Sequence, residues 1–131
     1  GKGISVELAK MGFNILIAAR TESKLQQVAD ELRTNYNVLV DYIVVDFNSI
    51  EQTYDSYYKV FQKYFDNREI SILVNNVGTV QPKMIIDLTL EESMKTVNMN
   101  CYSQSYLCRI FVEKRKEKGA IIDLSSLSAE M

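Results

Sequence analysis

The chain has 131 residues, and its 15 Lys and Arg against 17 Asp and Glu give a formal net charge of −2. The 47% hydrophobic and 24% charged fractions are typical of an ordinary globular protein and exclude an intrinsically disordered chain. The small net charge disfavours nucleic acid as a partner. No apolar run approaches the ~20 residues that cross a bilayer, so we expect no membrane span within this chain.

Histidine is absent from the sequence, and cysteine is rare. Without histidine, Cys/His zinc sites and Ser–His–Asp catalysis are excluded within the chain, and we expect no metal site. Cys101 and Cys108 both lie in an apolar helical pattern, which indicates reduced thiols in the core.

The first part of the chain alternates between helical and strand patterns. A short amphipathic segment ends at Gly12, and glycine is a common helix stop. The apolar run 14–19 predicts a strand buried on both faces. Thr21 is expected to cap the helix that follows, and 38–45 is the next predicted strand.

The rest of the chain continues the alternation. An aromatic-rich amphipathic helix is predicted over 50–65, and its Tyr and Phe stripe is interpreted as core packing. Strands are predicted over 71–75 and 120–124. Between them, a long helix over 90–116 is expected to begin at the capping box of Thr89 and Glu92.

This alternation predicts an α/β fold with a parallel sheet. In such sheets ligands bind at the carboxyl ends of the strands, so polar residues that follow strands are candidate site residues. A cap, a turn or a surface charge explains any one of them, but polar residues follow all four strands. In chain order these are Arg20, Asp46, Asn75-Asn-Val-Gly78 and Ser125-Ser126.

Three segments resemble the motifs of one enzyme family. Asn75-Asn-Val-Gly78 resembles the Asn-Asn-Ala-Gly turn of short-chain dehydrogenases/reductases, and Ile122-Asp-Leu-Ser-Ser126 resembles the strand end that carries their catalytic serine. Asn98-Met-Asn100-Cys-Tyr-Ser103 resembles the Asn-x-x-Ser segment of their long central helix. Glu7-Leu-Ala-Lys-Met-Gly12 and Ala19-Arg-Thr-Glu-Ser-Lys-Leu25 are similar to the branch of 17β-hydroxysteroid dehydrogenases and very-long-chain 3-oxoacyl-CoA reductases.

The resemblance implies a Rossmann-type, doubly wound parallel sheet that binds NAD(P). Registered on the family, Gly1 falls on the last glycine of the phosphate-binding fingerprint, and the Tyr-x-x-x-Lys motif would lie beyond Met131. The resemblance therefore implies an incomplete sheet, without the first strand and the C-terminal part, in which residues 1–131 form a partial Rossmann domain. We expect such a chain, in isolation, to be marginally stable or prone to aggregation.

The family resemblance also implies roles for the cofactor residues. Gly1 would approach the pyrophosphate at a helix N-terminus. Arg20 stands where NAD-preferring enzymes usually place an acid, and its guanidinium would bind the 2′-phosphate of NADP(H); a surface arginine is the alternative. Asp46 would accept a hydrogen bond from the adenine amino group, with helix capping ahead of Ser49 and Ile50 as the alternative.

The Asn-Asn-Val-Gly turn carries three of the implied roles. Asn75 would contact the ribose side of the cofactor, Asn76 would brace the sheet, and Gly78 would let the backbone pass close to the cofactor. A plain turn is the alternative.

The catalytic residues implied by the resemblance are Ser126 and Asn100. Ser126 would hydrogen-bond the substrate oxygen, with Ser125 and Ser128 as further candidates. Asn100 would hold a water in the proton relay, or be a buried structural residue. Asp123 stands where the family commonly has Asn, and a buried acid requires a partner.

The implied function is that of a fragment of an NADP(H)-dependent oxidoreductase that reduces a keto-steroid or a 3-oxoacyl-CoA. A catalytically inactive, truncated family member that binds a cofactor or a protein is the alternative. The implied partner is a small lipid or steroid substrate, and a homodimer is left open. The resemblance implies the endoplasmic reticulum as the location, although the chain shows no targeting signal.

Overall fold

The structure, a computed structural model, describes residues 1–126. The chain forms two compact units, one over Gly1–Ser49 and the other from Ile50 onward. The first unit contains α1 (Lys2–Lys10), β1 (Ile15–Ala19), α2 (Glu22–Tyr36) and β2 (Val40–Val44). The second contains α3 (Tyr54–Asp66), β3 (Ile72–Asn75), a 3-10 turn (Ile85–Asp87), α4 (Leu90–Val97), a π-helical turn (Asn98–Tyr102), α5 (Ser103–Lys114) and β4 (Ala120–Asp123).

In the first unit, β1 and β2 pair in parallel, with Ile15 opposite Val40. A small core of apolar side chains draws on all four elements. Its buried members are Ala9, Ile15, Ala29, Leu32 and Val40. The parallel pairing confirms that the alternating pattern of the sequence encodes an α/β fold.

The sequence correctly predicts where α1 ends and where α2 begins. Just after α1, Gly12 has φ of +87°, a left-handed conformation that L side chains rarely adopt, and this confirms the predicted helix stop. Thr21 is the N-cap residue of α2, as expected. Its side chain makes no capping hydrogen bond, so the predicted capping contact is wrong although the boundary is right.

In the second unit, α3 packs against α5 through aromatic side chains. Tyr57, Phe61 and Phe65 of α3 are buried, and the Phe65 ring meets that of Phe111 edge-on with centroids 6.5 Å apart. The interpretation of the stripe as core packing is confirmed for these residues. Tyr54 lies at the edge of the same face, half-buried, where its hydroxyl donates to the Glu113 carboxylate.

The boundaries of two predicted helices shift. α3 begins at Tyr54 rather than at residue 50, because the Thr53 hydroxyl caps it by accepting from the Ser56 amide. The long helix does begin at the predicted capping box of Thr89 and Glu92. It runs to Lys114, but a π-helical turn replaces α geometry in its middle.

The strands β3 and β4 also pair in parallel, with Ile72 opposite Ala120 and Asn75 opposite Asp123. All four residues of β4 are exposed, so the expectation of a buried strand is wrong here. The reason is that α5 packs against β3, while the contacts of β4 are mainly with β3. No helix within residues 1–126 combines the length and the apolar character needed to cross a membrane.

Gly119 precedes β4 at a point where the Phe111 ring and the Ser71 backbone leave no room for a side chain. A Cβ there would lie 2.7 Å from Cζ of Phe111 and 3.0 Å from the Ser71 carbonyl oxygen. We expect Gly119→Ala to lower the free energy of unfolding by about 1–3 kcal/mol, as overpacking of a close contact does. Thermal unfolding measures this loss. Gly3→Ala is the control, because no heavy atom lies within 4 Å of its added Cβ. Equal melting temperatures for the two variants would contradict the close packing.

Candidate functional site

Two predicted site residues follow the strands of the first unit. Arg20 comes directly after β1, with an exposed side chain, and Asp46 comes two residues after the end of β2. The Val45 amide donates to the Ala19 carbonyl at 2.9 Å, which carries the pairing up to these positions. Because the two strands are parallel, Arg20 and Asp46 lie at the same edge of the pair. The structure thus brings these two side chains to the edge where ligands bind in parallel sheets.

The Asp46 carboxylate shapes the turn that leaves β2. It accepts from the Asn48 amide at 3.0 Å and from the Ser49 hydroxyl at 2.9 Å. The alternative in which Asp46 caps the following helix is wrong, since Thr53 caps α3. A carboxylate has further lone pairs, so a contact with the adenine amino group stays a prediction.

Gly1 is the N-cap residue of α1. Its carbonyl oxygen accepts from the Ser5 amide at 3.0 Å, the first hydrogen bond of the helix. The N–H groups of a first helical turn and the helix dipole attract anions. The position of Gly1 is therefore compatible with the predicted phosphate contact, which stays a prediction.

A buried amide marks the end of β3 in the second unit. Asn75 is 4% exposed, and its Nδ2 donates to Oδ1 of Asp123 at 2.7 Å and to Sγ of Cys108 at 3.2 Å. Asn75 thus braces the sheet, and the bracing role implied for Asn76 stays a prediction. Asn76 lies exposed after the strand. Asp123 was expected to need a partner, and that partner is Asn75. Asp123 itself is exposed rather than buried.

The turn that follows β3 is held by the π-helical turn. Oδ1 of Asn100 accepts from the Thr79 amide at 2.8 Å, and Nδ2 of Asn100 donates to the Thr79 carbonyl at 2.8 Å. The oxygen and the nitrogen of the Asn100 side-chain amide thus both bind the backbone of Thr79. This is a structural role, the alternative to the role in catalysis. A role in holding a water stays a prediction. Helical π turns occur frequently at functional sites.

A second contact to this turn was not foreseen from the sequence. Gln104 lies one helical turn after Asn100, and its Nε2 approaches the Val77 carbonyl at 3.5 Å. Glutamine is common on helix surfaces, so no sequence signal marks it. Asn100 and Gln104 together fasten residues 77–79 to the helix.

The serine candidates leave the sheet beside this turn. The Leu124 amide donates to the Asn75 carbonyl at 3.0 Å, and Ser125 and Ser126 follow with exposed side chains. Because β3 and β4 are parallel, Ser126 and the turn that contains Gly78 depart from the same edge. Ser128, the remaining candidate, lies outside the described residues.

The family model for short chain dehydrogenases matches residues 1–131. The chain belongs to the short-chain dehydrogenase family. It is 36% identical to hydroxysteroid dehydrogenase-like protein 1 of Gallus gallus, over 98% of this chain and 39% of the relative. It is 35% identical to the very-long-chain 3-oxoacyl-CoA reductase of Anas platyrhynchos, over 96% of this chain and 41% of the relative. The predicted branch of the short-chain dehydrogenases is confirmed by these relatives.

A further relative of this short-chain dehydrogenase carries a different description. The inactive hydroxysteroid dehydrogenase-like protein 1 of Homo sapiens is 32% identical, over 96% of this chain and 38% of the relative. The chain spans about two-fifths of the length of the curated relatives that it matches.

Solved structures of short-chain dehydrogenases share the fold. The L-sorbose reductase of Gluconobacter frateurii, complexed with NADPH and L-sorbose, superposes with a TM-score of 0.85 at 26% identity, over 98% of this chain and 49% of that chain. The short-chain dehydrogenase of Sphingobium yanoikuyae, in complex with NADPH, gives a TM-score of 0.83 at 22% identity, over 97% and 50%. Both confirm the predicted fold class.

The clamp of Asn100 on Thr79 can be tested by one isosteric change. In Asn100→Asp a carboxylate oxygen replaces Nδ2, so the Thr79 carbonyl loses its donor and faces a negative charge. We expect a loss of about 1–3 kcal/mol in the free energy of unfolding, measured by urea denaturation. Asn98→Asp is the control, because residues two apart on a helix face different directions. An unfolding free energy that is lowered equally in both variants would argue against a specific clamp.

Proposed function

We propose that the whole protein that carries this chain is an NADP(H)-dependent reductase that transfers hydride to the ketone of a 3-oxoacyl-CoA or a keto-steroid. One observation carries the proposal: the turn after β3, clamped by Asn100, and the Ser125-Ser126 segment leave the same edge of a parallel strand pair. Ligands of open α/β sheets bind outside the carboxyl ends of the strands, so a hydride donor and its acceptor can meet at this edge.

The serine segment supplies the polarising group in this proposal. The Ser126 hydroxyl donates a hydrogen bond to the ketone oxygen and stabilises the negative charge that develops on it. NADPH, when bound, would supply the hydride, and a general acid of the whole protein would supply the proton that completes the alcohol. Asn100 keeps the turn at residues 77–79 in place, so that the turn and Ser126 stay at a fixed spacing while the substrate is held.

Gly78 fits a surface that a cofactor approaches closely. A Cβ at this position would meet its nearest neighbour, Oδ1 of Asn100, at 3.4 Å, which is an ordinary contact. The left-handed φ found at Gly12 is not shared by Gly78. The fold itself therefore tolerates a side chain here, and a need for glycine would come from a molecule that packs against the backbone.

The cofactor preference rests on the edge of the first unit. Arg20 is exposed at the end of β1, where a guanidinium can bind a 2′-phosphate with two parallel hydrogen bonds. An acid at this position would instead favour the 2′-hydroxyl of NAD. Asp46 at the same edge supplies an acceptor for the adenine amino group, and Gly1 at the start of α1 supplies a backbone contact for phosphate.

The substrate class rests on the relatives. Those named very-long-chain 3-oxoacyl-CoA reductase support an acyl thioester, and those named hydroxysteroid dehydrogenase-like support a steroid. A lipid substrate in turn supports the endoplasmic reticulum as the location. A homodimer remains part of the proposal, without a contact that specifies it.

A second candidate function is favoured by the inactive relative of Homo sapiens. In this case the protein binds NADP(H), or a protein partner, without turnover. The two candidates share the fold and the cofactor edge, and they differ in whether substrate is reduced.

Turnover of the whole protein separates the two candidates. We expect loss of NADPH absorbance with a long-chain 3-oxoacyl-CoA or with a keto-steroid. Ser126→Ala should lower kcat by about 10²-fold, the effect of removing one donor to a developing oxyanion. Ser105→Ala, the same change at an exposed serine on α5, is the matched control. NADPH binding without turnover of either substrate would favour the inactive binding module.

Arg20→Asp should change cofactor selectivity in the whole protein. We expect the Kd of NADPH to rise by about 10-fold or more, because a charge-assisted contact is replaced by repulsion, while the Kd of NADH changes little. Fluorescence titration with both cofactors measures this. Lys59→Asp, which reverses an exposed charge on α3, is the control. Equal losses for NADPH and NADH would rule out a contact of Arg20 with the 2′-phosphate.

A further inference from the structure

We propose that Asp123 is a positioning residue that sets the spacing between the serine segment and the turn after β3; this inference rests on the proposed function. Asp123 ends β4 directly opposite Asn75, which ends β3. Its Oδ1 accepts from Nδ2 of Asn75 at 2.7 Å. Asp123 is therefore joined to the last residue before the turn, and Ser126 follows three positions later.

The chemistry of Asp123 fixes how the Asn75 amide is oriented. An ionised carboxylate only accepts hydrogen bonds, so the NH₂ group of Asn75 must face it, and a flipped amide would set oxygen against oxygen. The same Nδ2 also faces Sγ of Cys108 on α5 at 3.2 Å. One buried amide thus ties β3 to β4 and to the helix, and the carboxylate end of this arrangement is charge-assisted and therefore strong.

The turn after β3 is consequently held at both ends. Asn75 is fixed at the start of the turn by Asp123 and Cys108, and Thr79 is fixed at its end by the two hydrogen bonds of Asn100. The Leu124 amide adds a backbone bond to the Asn75 carbonyl at 3.0 Å. Loss of the Asp123 carboxylate would release the start of the turn and the beginning of the serine segment together.

Truncation of Asp123 acts on the hydrogen bond to Asn75 and not on core packing. The Asp123 side chain is exposed, so truncation removes no core packing and leaves no cavity. The backbone ladder between β3 and β4 is also independent of the side chain. Asp123→Ala leaves the buried Nδ2 of Asn75 with the weaker acceptor Sγ of Cys108, so we expect a lower melting temperature as well as a local change at this strand end. The kinetic comparison is therefore made well below the melting temperature of the variant.

Three variants of the whole protein test the inference. In Asp123→Ala we expect faster amide hydrogen exchange at Leu124, which donates to the Asn75 carbonyl, and unchanged exchange at Thr79, which Asn100 holds. We also expect a kcat lower by about 10- to 100-fold with little change in KM, since small displacements of positioned groups have effects of this size. Asp123→Asn keeps a carbonyl oxygen that accepts from Asn75, so it should restore both readouts. Asp87→Ala, an exposed acid in the 3-10 turn, is the control.

The outcomes distinguish this inference from the proposed reductase activity. Exchange unchanged at Leu124 in Asp123→Ala, or no rescue by Asp123→Asn, would overturn the positioning role. If the unaltered protein shows no turnover with NADPH, the reductase proposal fails on its own. Hydrogen exchange needs neither cofactor nor substrate, so the Leu124 amide then still decides whether Asp123 holds the start of the turn.

Discussion

Parallel pairing of β3 with β4 is the constraint on which the candidate site of the second unit depends. Because both strands run in the same direction, the turn after Asn75 and the segment after Asp123 must leave the same edge. Two hydrogen bonds to Asn75 hold this strand end: its side-chain amide donates to the Asp123 carboxylate, and its carbonyl accepts from the Leu124 amide. The serine segment therefore stays beside the turn only while the hydrogen bonds of Asn75 with Asp123 and Leu124 persist.

The helix from Leu90 to Lys114 supports the same edge from a different direction. Its π-helical turn carries Asn100, whose side chain binds both polar groups of the Thr79 backbone, and Cys108 on the next part of the helix faces Asn75. Behind these contacts the helix is anchored to α3 by buried aromatic rings such as Tyr57 and Phe111. A rigid aromatic interface thus gives the polar contacts a fixed base, which a site of this kind requires for positioning.

In the first unit, parallel pairing of β1 with β2 likewise brings the residues that follow the two strands to one edge. There the edge presents a cation, Arg20, and a carboxylate, Asp46, whose turn is closed by Asn48 and Ser49. The core beneath is built from small and branched apolar side chains, with Ala29 and Leu32 fully buried. Charged groups at this edge cost little because they remain close to water.

Much of the fold and part of the candidate site could be predicted from the sequence, the fold from local signals and the site from polar residues at strand ends. The period of apolar residues determined the order of helices and strands, Gly12 determined a helix stop through its left-handed backbone, and the capping box at Thr89 determined where a long helix begins. These signals are local, so they survive without knowledge of the fold. Polar residues at strand ends also identified Arg20, Asp46 and Ser126 as candidates, since parallel strands share one binding edge.

Tertiary structure alone decided which side chains meet. Asn75 joins β3 to β4 and to α5, because its amide meets Asp123 and Cys108. The π-helical turn, the clamp of Asn100 on Thr79 and the exposure of β4 likewise depend on packing between segments distant in sequence. The sequence by itself thus determined the elements and the chemical types at the edge, while partner choice came from the register of paired strands, which no local pattern encodes.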